Sequence, residues 1–282
     1  MATVAIVGAG DIGGACAQAL AARDRVSHIL VIDPAAHAAA GKALDIQQMS
    51  AVHFSHTRLD ATADESRAIG SAVVVIADQF AAGSPEWSGE QGLSLVRRVA
   101  GFAADTPIVF AGAKQADLLH ASSQEARIPA RRLIGSATEA LASAVAAIVA
   151  MEAGCSPTEV SVAVLGTPSA SFVVPWNDAS IGGYALAGVV SQVQLRRIEA
   201  RVERLWPPGP YALGTAAARV VEALLQSSRR SYNVLTVLDG EFGVRDRIGV
   251  VPALLGPQGV VHARVPSLTT RERVQLETAL RA

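Results

Sequence analysis

A glycine-rich run near the start of the chain has the residue types and spacing of a dinucleotide-binding turn. Gly8-Ala9-Gly10-Asp11-Ile12-Gly13 follows an apolar, β-branched segment and precedes an alanine-rich segment with helical periodicity. The first glycine permits a tight turn, the second lets the backbone approach a pyrophosphate, and the third lets helix and strand pack closely. The N–H groups and positive dipole end of the following helix favour phosphate. The predicted cofactor-binding residues of this run are Gly8, Gly10, Asp11, Ile12 and Gly13.

An acidic residue, Asp33, ends the second apolar run about 20 residues after the last glycine, the spacing that reaches an adenosine ribose. Its carboxylate can accept hydrogen bonds from both ribose hydroxyls and would repel a 2′-phosphate. The next four residues are Pro-Ala-Ala-His, without Lys or Arg. NAD is therefore predicted as the cofactor in preference to NADP. Methyltransferases that use S-adenosylmethionine share a Gly-rich turn and an acid on the second strand, and they are the competing interpretation.

The elements that must position these residues alternate between short apolar runs and longer periodic segments. Strands are predicted at residues 3–7, 28–32, 72–77, 107–111 and 132–134, with helices at 11–22, 35–52, 88–103 and 116–125. Strands separated by helices form βαβ units and a parallel sheet. Near-continuous apolar strands are typical of a sheet covered on both faces. The fold class is predicted as α/β, a Rossmann domain with a doubly wound parallel sheet.

The pattern changes after residue 138. Helices are predicted at 139–154, 191–206, 212–226 and from Thr269 onward, where Thr269 and Glu272 form a capping box. Strands are predicted at 160–165, 172–174, 234–238, 248–251 and 260–265. We expect an NAD-binding domain over residues 1–136 and an α+β domain over residues 137–282.

The composition narrows the class of protein. The 282 residues contain 24 basic and 25 acidic side chains without a basic stripe, so neither nucleic acid nor an anionic membrane surface is an expected partner. The chain opens directly into a strand and has no apolar run of membrane-spanning length, which predicts a cytoplasmic protein. Cys16 and Cys155 are expected to be free, buried thiols. His53 and His56 lack a third ligand nearby, so no metal site is predicted.

The chain resembles the lactate/malate dehydrogenase family over nearly its whole length. The similar segments are Gly41-Lys42-Ala43-Leu44-Asp45, Met151-Glu152-Ala153-Gly154 with Ser156-Pro157, residues 221–225, residues 249–256, and Leu268-Thr269 with Glu272. The resemblance implies NAD, a C-terminal half of the family's α+β type, and hydride transfer on a small 2-hydroxy acid. It favours this family over the methyltransferases.

The residues that the resemblance would assign to catalysis are missing. The family's catalytic His falls in the turn at residues 167–171, Thr-Pro-Ser-Ala-Ser, and its orienting Asp and carboxylate-clamping Arg fall near Leu141 and Ala144. The mobile loop at residues 79–91 has no Arg, and the family's Asn-Pro turn reads Lys114-Gln115. No His lies between residues 120 and 262, so a small alignment shift does not restore the histidine.

Three hypotheses follow for function. The first in rank is a non-catalytic NAD-binding sensor, regulator or partner without ordinary 2-hydroxy-acid dehydrogenase activity. The second is an oxidoreductase of altered, unknown small-molecule substrate, with Lys114 as acid/base and Glu139 as its possible partner across the cleft. The third is an interaction scaffold that has lost the cofactor. By its resemblance to a helix that the family buries across a two-fold axis, the segment 41–52 predicts a homodimer or larger assembly, as opposed to a monomer.

Overall fold

A computed structural model describes residues 2–281. Its main sheet begins with six parallel strands in the order β3-β2-β1-β4-β5-β6. They are β1 (Thr3–Val7), β2 (His28–Ile32), β3 (Arg58–Thr62), β4 (Val73–Ile76), β5 (Ile108–Phe110) and β6 (Leu133–Gly135). The strand order reverses between β1 and β4, and ligands of such sheets bind outside the carboxyl ends of the strands at that point. The predicted Rossmann fold is confirmed.

Helices connect these strands. They are α1 (Asp11–Arg23), α2 (Ala36–Gln48), α3 (Ser50–His53), α4 (Gly89–Phe102), α5 (Ala116–Gln124) and α6 (Ala137–Ala153). All four residues of β4 are buried, as are the last four of β1 and of β2. Because both faces of these strands are covered, their buried residues form continuous apolar runs of Val, Ile, Leu and Ala with no polar face.

The C-terminal half extends the same sheet with antiparallel strands in the order β12-β13-β8-β9, and β14 pairs with β13. A second, three-stranded sheet has the order β11-β10-β7. The strands are β7 (Val160–Ser161), β8 (Leu165–Thr167), β9 (Ser171–Val173), β10 (Ser180–Ile181), β11 (Tyr184–Ala185), β12 (Tyr232–Asp239), β13 (Arg245–Gly256) and β14 (Gly259–Ala263). The helices are α7 (Leu186–Val189), α8 (Gln192–Val202), α9 (Pro210–Gln226) and α10 (Thr270–Arg281). The division at residues 136 and 137 stays a prediction.

Helix α1 of the N-terminal half packs directly against helix α9 of the C-terminal half. A Cβ atom placed on Gly214 of α9 would lie 2.6 Å from the Cβ of Ala15 and 2.7 Å from the carbonyl oxygen of Ile12, both on α1. A side chain at Gly214 therefore has no room, and the two helix backbones approach closely because this residue is glycine.

Several elements were missed or misjudged from the sequence, among them the short β10, β11 and α7, which were not predicted. Strand β3 was not predicted, because it is a half-exposed edge strand whose Arg58 and Asp60 interrupt the apolar pattern. The helix predicted at 35–52 breaks at Met49 into α2 and α3. The strand predicted at 160–165 divides into β7 and β8, because the two ends of this apolar run pair in different sheets.

The structure also bears on the expectations for membrane-spanning helices, for the two cysteines and for the capping box. No helix within residues 2–281 is both long and apolar enough to cross a membrane. Both cysteines are free, but Cys155 is only partly buried, which corrects the expectation of two buried thiols. Burial raises the pKa of Cys16 to about 12, so this thiol stays protonated and unreactive at neutral pH. The capping box also forms, since the Thr269 N–H donates to Glu272 at 2.8 Å and the Glu272 N–H donates to Thr269 at 3.2 Å.

Candidate functional site

The glycine-rich turn has the backbone geometry of a dinucleotide site. Gly8 adopts a φ of +116°, which L side chains rarely adopt, and its N–H donates to the Ile32 carbonyl at 2.7 Å. A Cβ on Gly13 would clash with the Gly8 carbonyl oxygen, so the third glycine lets the first turn of α1 lie against β1. The turn therefore presents the N-terminus of α1 at the carboxyl edge of the sheet, where β1 and β4 meet.

A carboxylate of the chain itself occupies that helix N-terminus. Asp78, directly after β4, accepts the N–H of Ile12 at 3.0 Å on one oxygen and the N–H of Gly13 at 2.9 Å on the other. A Cβ on Gly10 would lie within 2.7 Å of either carboxylate oxygen of Asp78. Burial raises the pKa of the Asp78 carboxyl, and the two N–H donors act in the opposite direction. The glycine at position 10 thus makes room for Asp78 in this structure.

The predicted ribose ligand, Asp33, is also engaged within the chain. It is 1% exposed. One oxygen accepts the N–H of Ala9 at 2.8 Å and that of Phe80 at 2.9 Å, and the other accepts the N–H of Ala35 at 2.8 Å. A carboxylate has about four lone-pair positions, so three backbone donors take most of its accepting capacity.

Glu86 makes a third contact of this kind. Its carboxylate accepts the N–H of Ala113 at 3.2 Å and of Lys114 at 2.7 Å, and a Cβ on Gly112 would clash with it. These residues form the turn after β5, onto which the resemblance places the family's Asn-Pro turn. Burial raises the pKa of the Glu86 carboxyl, opposed by its N–H donors. An isolated bridge pairs Glu86 with Asp78, so one segment supplies both carboxylates.

A positive charge lies beside the glycine-rich turn. Lys42 of α2 is partly buried, and its Nζ donates to the Gly10 carbonyl at 2.7 Å. The same Nζ lies 5.6 Å from the ring centre of Phe80, within the range of a cation–π contact. Lys42 and the N-terminus of α1 both favour an anion at this turn.

A small cavity without an ionisable lining residue lies on the predicted substrate side. A cavity of about 10 Å³ lies between the turn after β5, the start of α6 and the turn between β8 and β9. That is about the space of one water molecule. Its lining residues have no titratable side chain and are Phe110, Gly112, Ala113, Gln115, Ala116, Leu119, Gly135, Ala137, Thr138, Thr167, Pro168, Ser169, Trp206 and Leu235. None of these side chains is an acid or base that titrates near neutral pH, and none is a cation that could clamp a carboxylate.

The two residues offered for altered chemistry lie apart. Lys114 is exposed and does not line the cavity. Glu139 is buried, and its carboxylate accepts the Asn233 N–H at 2.9 Å and lies 3.5 Å from the Nε of Arg219. Burial raises the pKa of Glu139, and the charge of Arg219 opposes that shift. The suggested pairing of Glu139 with Lys114 is wrong, because Glu139 binds residues of α9 and β12 instead.

Comparisons with known proteins agree with this architecture. The family model described as "lactate/malate dehydrogenase, NAD binding domain" matches residues 2–121. Membership of the lactate/malate dehydrogenase family is supported. The match also supports NAD as the cofactor. The chain is 28% identical over 296 residues to a malate dehydrogenase of Cytophaga hutchinsonii, covering 98% of this chain and 94% of the relative. It is also 28% identical over 306 residues to an L-lactate dehydrogenase of Geotalea daltonii, covering 99% and 96%.

Solved structures of the family share the fold. A malate dehydrogenase from Salinibacter ruber superposes with a TM-score of 0.87 at 23% identity, covering 98% of this chain and 93% of that one. A minor L-lactate dehydrogenase from Enterococcus mundtii gives 0.86 at 20% identity, covering 99% and 95%. At these identities the likeness concerns the fold.

The side chains around the turn do not fit a pyrophosphate as they stand. Asp78 already accepts two N–H groups at the start of α1, and the carboxylate oxygens of Asp33 already accept three. A phosphate at this helix end would meet a second anion competing for the same donors. The fold and the glycine pattern thus agree with NAD, and the arrangement of the two carboxylates does not.

The residues that sequence reasoning missed are Asp78, Glu86, Lys42 and Gln115. Gln115 is buried, accepts the Gly112 N–H at 2.9 Å and donates to the Ala77 carbonyl at 2.9 Å, which fixes the turn after β5. No sequence motif predicts the contacts of Asp78 or Glu86, because each accepts hydrogen bonds from backbone N–H groups far away in the sequence. The one available signal was the position of Asp78, an acid directly after an apolar run that ends at the ligand edge of a parallel sheet. Across residues 2–281, no group of three or more His, Cys, Asp or Glu could hold a metal ion.

Proposed function

We propose that this chain is an NAD-binding member of the lactate/malate dehydrogenase family that does not oxidise or reduce ordinary 2-hydroxy acids and their keto acids. It would act as a sensor, regulator or assembly partner. The observation that carries the proposal is the cavity of about 10 Å³ without a titratable lining residue, beside the turns to which the resemblance assigns catalytic residues. Leu141, where the resemblance expects an Asp, is 0% exposed and packs in the apolar core of the C-terminal half.

The expected loss of rate is large. A positioned acid/base contributes about 10²–10⁴ to the rate. A preorganised group that stabilises developing charge contributes about 10²–10³. The two factors are not independent when the groups act together. Either loss alone would put turnover far below that of a working dehydrogenase.

The test is an assay of NADH absorbance with purified protein and millimolar malate, lactate, oxaloacetate or pyruvate. The malate dehydrogenase of Cytophaga hutchinsonii serves as the positive control under the same conditions. We expect no turnover above the protein-free background. Turnover in the common enzymatic range of about 1–10³ s⁻¹ would overturn the proposal.

We further propose that NAD contacts the residues assigned from the sequence. These are Gly8, Gly10, Asp11, Ile12, Gly13 and Asp33. Two observations support this assignment. The turn lies where the strand order reverses between β1 and β4, and Asp11, the first residue of α1, is exposed. Calorimetric titration with NAD and NADH tests it, and an absence of heat at millimolar ligand would count against it.

A homodimer through α2 is proposed as the assembly. Leu44 of α2 is 59% exposed, and Val52 and Phe54, just beyond α2, are exposed as well. Ile46 is buried within the chain and so is not available to a partner. Light scattering at micromolar concentration should give a dimer mass, and Leu44→Asp should give a monomer. A monomer mass for the unmodified chain would contradict the proposal.

A further inference from the structure

Asp78, Phe80 and Glu86 hold the segment of residues 78–86 across the carboxyl edge of the parallel sheet, and the Asp78 carbonyl also accepts the Gly10 N–H at 2.9 Å. At one end Asp78 accepts the N–H groups of Ile12 and Gly13. Next to it, the Phe80 N–H donates to Asp33 at 2.9 Å. At the other end Glu86 accepts N–H groups of the turn after β5. The segment therefore spans the edge from β2 to β5, the line along which a doubly wound sheet binds an extended ligand.

The chemistry of the first contact is that of a bound phosphate. An anion lies at the N-terminus of α1, accepts N–H groups of its first turn, and lies against Gly10, which has no side chain. A pyrophosphate uses the same donors and the same gap in a dinucleotide site. Asp78 is 1% exposed, so its carboxylate is held on these N–H groups inside the fold and not in solvent.

The second contact closes the ribose position. Asp33 would offer its oxygens to two ribose hydroxyls, but the N–H groups of Ala9, Ala35 and Phe80 use them. The N–H groups of Ala9 and Ala35 belong to the turns that follow β1 and β2. The donor at Phe80 belongs to the segment 78–86, so its departure would free accepting capacity on Asp33.

We propose that the segment 78–86 is an internal competitor of the dinucleotide, in which Asp78 takes the place of the pyrophosphate and lowers the affinity of the chain for NAD. Binding of NAD requires the Asp78 carboxylate to leave the N–H groups of Ile12 and Gly13. Lys42 and the N-terminus of α1 stay in place as the positive features that either anion uses. The inference rests on the NAD-binding part of the proposed function.

The test compares the affinity for NADH of the full chain, Asp78→Ala and Asp78→Asn, by calorimetry and by NADH fluorescence. Both variants remove the competing charge, and we expect each to bind NADH at least about tenfold more tightly. Asp24→Asn is the matched control. Asp24 also accepts two backbone N–H groups, from His56 at 2.7 Å and Thr57 at 3.0 Å, but it follows the carboxyl end of α1, away from the glycine-rich turn. Its affinity for NADH should equal that of the unmodified chain.

The outcomes separate this inference from the proposed function. If the unmodified chain binds NADH and the two Asp78 variants bind no more tightly, the inference fails and NAD binding stands. If neither the chain nor a folded variant binds NADH, both fail. Binding by the variants alone supports both, and shows that the competitor dominates in the unmodified chain.

A second measurement uses the unmodified chain, so that it does not depend on a variant folding. Hydrogen exchange of the amides in residues 78–86 is followed with and without saturating NADH. We expect faster exchange of the Phe80 amide when NADH is bound, because this N–H must leave the Asp33 carboxylate when the segment moves. Bound NADH with unchanged exchange over residues 78–86 would overturn the inference.

Discussion

The cofactor side and the substrate side of the cleft carry two different kinds of change. On the cofactor side the backbone of the glycine-rich turn keeps its shape, and acidic side chains from elsewhere in the chain lie on its N–H groups. On the substrate side the resemblance places apolar Leu141 and small Ala144 at positions where it implies ionisable residues.

The difference shows that a site can be altered through its polar contacts or through its packing. Displacing Asp78 would expose donors that are already arranged for a phosphate. Reinstating an acid at Leu141 would instead place a charge in an apolar core. We therefore expect the first change to be recoverable by a single substitution and the second to require many.

The largest expected effect is at Leu141. Leu141→Asp removes a fully buried apolar side chain and leaves a carboxylate without a partner, which should lower the free energy of unfolding by at least about 4 kcal/mol. Urea denaturation measures it. Leu141→Met conserves volume and should cost less than about 1.5 kcal/mol. Equal small losses for both variants would mean that this side tolerates charge and that the comparison is wrong.

The next effect concerns the backbone of the glycine-rich turn. Gly13→Ala places a methyl group on the Gly8 carbonyl oxygen, and we expect a loss of about 2–3 kcal/mol in the free energy of unfolding. Gly41→Ala is the control, because a Cβ there meets nothing within 4 Å and Ala favours the helix by up to about 1 kcal/mol. Thermal and urea unfolding of the pair should move in opposite directions. A stable Gly13→Ala protein would show that the turn is less constrained than its geometry indicates.

A smaller effect is the pH dependence that Asp78 gives to stability. Burial raises its pKa in the folded chain above the unfolded value of about 4, so the folded state binds more protons. Stability should therefore fall as pH rises from about 4 through the folded pKa, by at most about 1.4 kcal/mol per pH unit for this one group. Asp78→Asn should remove that part of the slope in urea unfolding between pH 4 and 7.

Asp24 should contribute to the pH dependence of stability with the opposite sign. Hydrogen bonds from His56 lower its pKa, so its contribution is present above the unfolded value and is lost as pH falls through the folded one. If the stability of the Asp78→Asn chain has the same pH slope as that of the unmodified chain, burial does not raise the pKa of the Asp78 carboxyl.

The smallest expected effect is at Lys114. Its side chain is exposed and lies outside the cavity, so Lys114→Ala should change the free energy of unfolding by no more than about 0.5 kcal/mol. For the same reason the affinity for NADH should stay within about twofold. A twofold change in Kd corresponds to RT ln 2, which is less than the energy of a typical hydrogen bond. If the chain turns over some other substrate and Lys114→Ala abolishes it, the altered-enzyme hypothesis replaces the non-catalytic one.

The sequence predicted the parts of the molecule that local patterns determine. The bounds of β1 and β2, the start of α1 and the position of Asp33 follow from apolar runs, glycine spacing and helix periodicity, and the structure has them as predicted. The contacts of Asp78 with Ile12 and Gly13 join residues more than sixty positions apart, and such pairing leaves no periodic trace. The edge strand β3 was missed for a related reason, since its pairing with β2 compensates for a weak pattern of its own.

The contact at Gly214 limits how the molecule can move. Because α9 lies directly on the first turns of α1, without room for even a methyl group between them, the C-terminal half is fixed to the helix that carries the dinucleotide turn. Such packed interfaces resist sliding and rotation, so a hinge between the halves at this contact would have to break it as a unit. A displacement of the short stretch between β4 and α4 would uncover the glycine-rich turn and leave this contact intact.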